Sequence, residues 1–305
     1  MGLVTDGGQD TGIWHQIFNF DHYGELLGLV QNSLLAGVLL GLVGGLAGVF
    51  VIMRDLPFAV HGISELSFAG ASAALLLGVN IVAGSIAGSL IAAGAIGVLG
   101  VRARDRNSVI GIIMPFGLGL GVLFLSLYKG RAANKFGLLT GQIIAVSTPQ
   151  MAWLLGTSVV VLLALALVWK PLTFASVDPE VAEARGVPVR ALSLAFMLVL
   201  GLAVALCVQI VGALLVLALL VTPAAAAARV TASPVLLPVL SVVFALCAME
   251  GGTLLALGSA VPISPYVTTI AFVIYLGCRL VEAWRTQRTP PAALDSPRDR
   301  ERSHT

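Results

Sequence analysis

The feature that most constrains this chain is a series of apolar runs, each long enough to cross a lipid bilayer. A hydrocarbon core about 30 Å thick requires about 20 helical residues at roughly 1.5 Å each. Such runs fall near 27–53, 58–78, 80–101, 109–128, 151–169, 190–208, 210–228, 236–258 and 266–284. Only 10% of residues are charged and 58% are hydrophobic, too little polar surface for a water-soluble domain of this length. Short alternating strands of the kind that build a barrel are not seen. The sequence therefore predicts an all-α, polytopic membrane bundle of about nine transmembrane helices.

The polar breaks set its orientation. "RARDR" at 102–106, "WKPLTFASVDPEVAEARGVPVR" at 169–190, Arg229 and the end from Arg279 onward hold most of the arginine and lysine. Basic loops stay in the cytoplasm. All four lie inside if the N-terminus is outside, the helices alternate and the C-terminus is cytoplasmic. Lys129, Arg131 and Lys135 then fall outside, and their loop either re-enters the membrane or packs on its rim. Three regions follow: an external interfacial segment over 1–26, a membrane domain over 27–284, and a tail over 285–305. The tail is charged and proline-rich, and is expected to be disordered in the cytoplasm. The N-terminal piece interleaves Trp14, Phe18, Phe20 and Tyr23 with His15, Asp21, His22 and Glu25, as an interfacial anchor does. The alternative is a metal-catching lip made by His15 and His22.

Small residues punctuate the spans. Gly37, Gly41 and Gly45 repeat at four, as do Gly44 and Gly48, and Gly84 and Gly88. That spacing lets membrane helices approach closely. Cys207, Cys247 and Cys278 are odd in number, lack ligand spacing, and read as small packing residues.

Against this background three ionisable groups stand out. In "LPFAVHGISELSFAGAS" (56–72), His61 and Glu65 lie four apart and so on one helical face, with Ser64 and Ser67 loosely flanking it. Counted from Pro57, they lie about 6 and 12 Å into the membrane. Ionisable groups at that depth point to function, although a structural His–Glu hydrogen bond between helices also fits. Glu250 in "FALCAMEGGTLLALGSAVPISP" is the third, facing either a transport path or a packing partner. Together they offer one nitrogen and two carboxylates, a set that suits zinc or manganese and lacks the thiolates that select copper(I).

Catalytic signatures are missing: the sequence has no H-E-x-x-H, no G-x-S-x-G and no P-loop. A pump built on this chain needs its ATPase elsewhere, and the chain itself is not expected to be an enzyme. In "SVDPEVAEARGVPVRAL", Asp178 suits an N-cap, Pro179 a first turn, Glu180 and Glu183 the positive end of a short helix, and Gly186 its end. Such a capped helix between two spans is either a docking knob or an ordinary loop helix. The net charge of +2 says little about partners, and no nucleic-acid partner is expected.

These pieces, in this order, resemble the permease subunits of the zinc/manganese class of bacterial ABC importers. The likeness runs from about 27 to 284. "VQIVGALLVLALLVTPAAAAARV" (208–230), which contains Gly212, Thr222 and Pro223, looks like the family's most specific helix. "DPEVAEARGVPV" is similar to its cytoplasmic coupling segment, with Asp178, Glu180, Ala182 and Gly186 in the matching slots. "FGLLTGQIIAVST" and "RNSVIGIIMPFGLGLGVLF" resemble two further stretches. Two departures stand beside the likeness. The family's Asp-x-x-x-His at the start of the second helix is here His61 and Glu65, in swapped order. Its later Asp before the last helix is here Ala260, with Ser264 in a glycine slot.

The resemblance implies a homodimeric permease in the bacterial cytoplasmic membrane, with two ATPase subunits that carry the ATP and an extracytoplasmic metal-binding protein. No permanent cofactor is implied, only the transported zinc or manganese passing His61, Glu65 and Glu250. A metal chelate or another small solute is an alternative cargo, and a non-transporting scaffold or sensor an alternative role.

Overall fold

The computed structural model describes residues 31–100, 103–130, 137–138, 148–213, 215–257 and 262–288. The N-terminal segment with His15 and His22, most of the loop around Arg131 and Lys135, Ala260, and the tail beyond 288 lie outside these residues.

All described elements are helical. In chain order they are α1 (Gln31–Met53), α2 (Pro57–Leu77), α3 (Ile81–Leu99), α4 (Ala103–Leu127), α5 (Thr148–Val177), α6 (Pro179–Ala184), α7 (Val189–Val211), α8 (Val216–Leu220), α9 (Thr222–Val230), α10 (Leu236–Leu257) and α11 (Ile263–Arg288). Among the described residues, eight are long and apolar enough to cross a membrane. The long helices match the runs read from the sequence to within a few residues, except that α4 begins six residues before 109, α5 extends eight past 169 and α11 four past 284.

The expected continuous span at 210–228 is the exception. The chain leaves α7 at Gly212, at φ +80° and ψ 160°, a region open only to glycine at low cost. It re-forms as α8 and then α9, which opens on Thr222 and Pro223. Proline has no amide to give to the carbonyl four residues back, here that of Leu219. That carbonyl faces Gly44 of α1: a Cβ placed there would lie 3.3 Å from it. A Cβ on Gly48 would lie 2.0 Å from the next carbonyl, Leu220. The two glycines let α1 come against the broken segment's backbone. The broken pair runs parallel to α1 and is shorter than the eight long spans.

A second glycine stripe of α1 faces α10. Gly37, Gly41 and Gly45 meet Glu250, Leu246 and Val242 in turn, so the two helices run antiparallel. Ser241 closes this seam by donating to the Gly45 carbonyl at 2.7 Å. The four-residue spacing thus marks close helix approach, as the sequence predicts. Helix direction alternates throughout, and the start of α1 and the end of α11 lie on opposite faces. The face that carries Arg54, Arg106, Arg190, Arg229 and α6 is the basic, cytoplasmic one.

Two tight turns hold α2. At its start, Asp55 sits at φ 53° and ends α1, with the Leu56 amide bonded to the Val51 carbonyl at 2.8 Å. Pro57 then opens α2. At its other end, Gly78 at φ 69° closes the helix, and the Val79 amide reaches the Ala74 carbonyl at 3.0 Å. Asn80 caps α3 at once, accepting from the Val82 amide at 2.8 Å and the Ala83 amide at 3.3 Å. Gly70 of α2 then lies against Gly84 and Gly88 of α3.

Candidate functional site

α2 places His61 and Glu65 one turn apart on a face within the bundle. His61 Nε2 lies 3.8 Å from Glu65 Oε1. That is too long for a hydrogen bond, so the two are not locked to each other. Glu65 is 6% exposed, and His61 Nδ1 is buried without a hydrogen-bond partner. An ion held by both groups at bond lengths near 2.1 Å draws a nitrogen and an oxygen to about 3.4 Å in tetrahedral geometry. The observed spacing is close to that.

The flanking serines serve the helices instead. Ser64 donates to the His61 carbonyl at 2.8 Å. Ser67 pairs across to α3, with its hydroxyl 2.8 Å from that of Ser85 and 3.1 Å from the Ser85 carbonyl.

The turn that carries Glu65 is clamped by two glycines the sequence reading passed over in this role. A Cβ on Gly117 of α4 would lie 2.9 Å from both the Glu65 carbonyl carbon and the Leu66 nitrogen. On the opposite side, a Cβ on Gly88 of α3 would lie 2.2 Å from the Leu66 carbonyl oxygen. The backbone at 65–66 thus lies between two helices with no room for a side-chain carbon. Gly117 is four residues before Gly121, which meets the Phe68 ring, so the signal was the same spacing that marked α1.

Glu250 is placed elsewhere. It lies on α10 against Gly37, with Oε1 buried and without a hydrogen-bond partner. Counted along the helices, it is roughly 9 Å farther from the cytoplasmic face than Glu65. Among the described residues, no three His, Cys, Asp or Glu side chains gather as a metal site. The structure brings His61 and Glu65 together and leaves Glu250 apart within one chain.

At the cytoplasmic face α6 has the features expected of it. The Asp178 carboxylate accepts from the Val181 amide at 3.0 Å, Pro179 follows, and Glu180 lies in the first turn. Ala182 is fully buried. Gly186 at φ +83° ends the helix, with the Val187 amide on the Ala182 carbonyl and the Gly186 amide on the Glu183 carbonyl, both at 3.0 Å. Both bonds of a left-handed helix stop are made. The knob is short, capped at both ends and rigid.

The profile described as ABC-3, the ABC 3 transport family, matches residues 27–282. The chain is 32% identical over 203 residues to the manganese transport system membrane protein MntC of Halalkalibacterium halodurans, covering 66% of this chain and 70% of that one. It is 26% identical over 227 residues to the high-affinity zinc uptake system membrane protein ZnuB of Haemophilus influenzae, covering 73% and 86%. Among solved structures, it is similar to a chain of PsaBC from Streptococcus pneumoniae in complex with Fab. The TM-score is 0.75 at 27% identity, over 84% of this chain and 94% of that one.

Proposed function

The chain belongs to the ABC 3 transport family, and from that premise we propose that it is the permease subunit of an ABC importer for a divalent transition-metal ion. Manganese and zinc, named for its relatives, are the cargoes the donor chemistry suits. It acts as a multi-pass protein of the bacterial cytoplasmic membrane.

The observation that carries this reading is the intramembrane pair: an imidazole and a carboxylate, 3.8 Å apart and not hydrogen-bonded to each other. Two donors are too few to retain an ion permanently, since closed structural sites use about four. A half-complete set suits an ion in passage, completed by water or by a second copy of the chain in a homodimer. Glu250 stands as a separate carboxylate nearer the outer face, an earlier station on the same route. Power comes from an ATPase partner, which docks on α6 through Asp178, Glu180, Ala182 and Gly186. An extracytoplasmic binding protein delivers the ion. The break at Gly212, Thr222 and Pro223 packs against α1, which also touches Glu250 through Gly37.

The test is uptake of radiolabelled manganese and zinc in cells whose only copy is His61→Ala with Glu65→Ala. Uptake is lost while membrane abundance and co-purification of the ATPase are retained. Normal accumulation in that double variant removes the role assigned to the pair.

A further inference from the structure

Three arginines surround one cavity at the cytoplasmic end of the bundle, away from the ion pair. The cavity measures about 430 Å³ and lies between the α1–α2 turn, the end of α3, the start of α4 and the start of α7. Arg54, Arg106 and Arg190 line it, with Ser193 and Phe196, and among the described residues the one carboxylate in its lining is Glu183 of α6. Among the described residues, three guanidinium groups to one carboxylate leave a surplus of two positive charges.

Two of these arginines are built in. Arg54 donates through Nη2 to the Ser193 hydroxyl and lies 5.9 Å from the centre of the Phe196 ring. Its Nη1 is buried with no hydrogen-bond partner. Arg106 reaches the Asp55 carbonyl through Nη2 at 3.5 Å, and its Nε is likewise buried without a partner. Gly100, which ends α3, makes room for Arg106: a Cβ there would lie 2.9 Å from the Arg106 Cβ. A topology signal needs arginines only at the rim, in water. These two have lost water from one nitrogen each and gained nothing in return, which costs free energy until an acceptor arrives. Burial and the neighbouring Arg106 both hold the Arg54 pKa below its ordinary value, the strain that an anion relieves.

We propose that this cavity binds a phosphate-bearing anion. Planar, multi-donor guanidinium groups match phosphate oxygens in two-point geometry. The volume falls within the range of small-ligand sites. The site stands independently of the transport reading, because its test measures anion binding and not uptake. At the cytoplasmic membrane surface the phosphate comes either from the headgroup of an anionic lipid or from free phosphate.

The experiment uses the full chain, purified with its ATPase and reconstituted in phosphatidylcholine nanodiscs with or without phosphatidylglycerol. Retained lipid is read by native mass spectrometry, and sodium phosphate is titrated in parallel by thermal shift. Phosphatidylglycerol is retained over phosphatidylcholine, and each of Arg54→Gln and Arg106→Gln weakens retention by about fivefold. Arg229→Gln, at the exposed Arg229–Glu282 pair, leaves retention unchanged. Thermal protection by phosphate that both glutamine variants abolish, without lipid retention, also supports the site and names free phosphate as its occupant. Equal retention of the two lipids with no effect of phosphate overturns the proposal. So does retention that Arg106→Gln does not change, or loss of the ATPase from Arg54→Gln with anion binding intact, which assigns the arginines to the subunit interface. If Arg54→Gln does not fold, Arg106→Gln and Ser193→Ala carry the comparison.

Discussion

Replacing Gly88 by alanine adds one carbon and moves the turn of α2 that carries Glu65. That carbon would start 2.2 Å from the Leu66 carbonyl oxygen, a backbone atom that cannot rotate away. Ordinary contact lies above about 3.2 Å, so α2 and α3 must separate by roughly 1 Å. The Ser67–Ser85 hydroxyl contact, 2.8 Å now, then opens beyond hydrogen-bond range. Overpacking costs about 1–3 kcal/mol and the stranded buried hydroxyls about 1 kcal/mol more. Alanine recovers about 1 kcal/mol through its better helix propensity. The net loss is about 2 kcal/mol, a fall of roughly 3 °C in melting temperature for a chain of this size. Because the pushed atom belongs to the residue after Glu65, uptake at matched protein abundance falls at least about tenfold, as a 1 Å misplacement of a reacting group does. Gly117→Ala, starting 2.9 Å from the same turn, asks for about 0.5 Å and gives a smaller effect of the same kind. The controls lie on the same two helices: Gly94 and Gly119 have nothing within 4 Å of an added Cβ. Their alanine variants melt at or slightly above the parent temperature. Melting followed by tryptophan fluorescence, with uptake in parallel, checks all four. A Gly88→Ala protein that melts and transports like the parent, or a Gly94→Ala protein damaged as badly, would refute the clamp.

Two other substitutions separate fold from function. Asp178→Ala removes the cap of α6 and Gly186→Ala strains its left-handed stop, each at about 1 kcal/mol. Both leave the bundle's melting unchanged and lower transport-coupled ATP hydrolysis, measured with the reconstituted complex. Gly37→Ala places its Cβ 2.4 Å from Glu250 Oε1, the free end of a flexible side chain. Its folding is therefore near normal by size-exclusion profile, while uptake falls because the carboxylate is turned away.

Length and apolarity made the helices legible, since the bilayer sets both. The glycine spacing on α1 was legible for the same reason: periodicity shows which residues share a face. What each face meets is a matter of three dimensions. Gly37, Gly41 and Gly45 meet α10, whereas Gly44 and Gly48 meet a backbone that the sequence presents as one unbroken apolar run. Gly212 and Pro223 carried the sign of that break, masked by the surrounding leucines and alanines. The His61–Glu65 pairing follows from a separation of four and needed no structure to see. The separate position of Glu250 depends on which helix α10 packs against, which no local pattern encodes. The arginine cavity was equally hidden, because Arg106 and Arg190 each looked like an ordinary cytoplasmic end of a span.

The turn between α2 and α3 also bears on biogenesis. Only Gly78, Val79 and Asn80 separate the two helices, so closing that loop costs little chain entropy. Their mutual contacts, Gly70 with Gly84 and Gly88, Ser67 with Ser85 and Gly88 with Leu66, all join residues fewer than twenty-five apart. Local contacts of this kind form early, as soon as both helices have left the ribosome. Glu65 thus enters lipid on a finished hairpin and not on a solitary helix. The helix bearing Gly117 is translated next and closes the other side. The order of synthesis is then the order in which the carboxylate loses its water, one neighbour at a time.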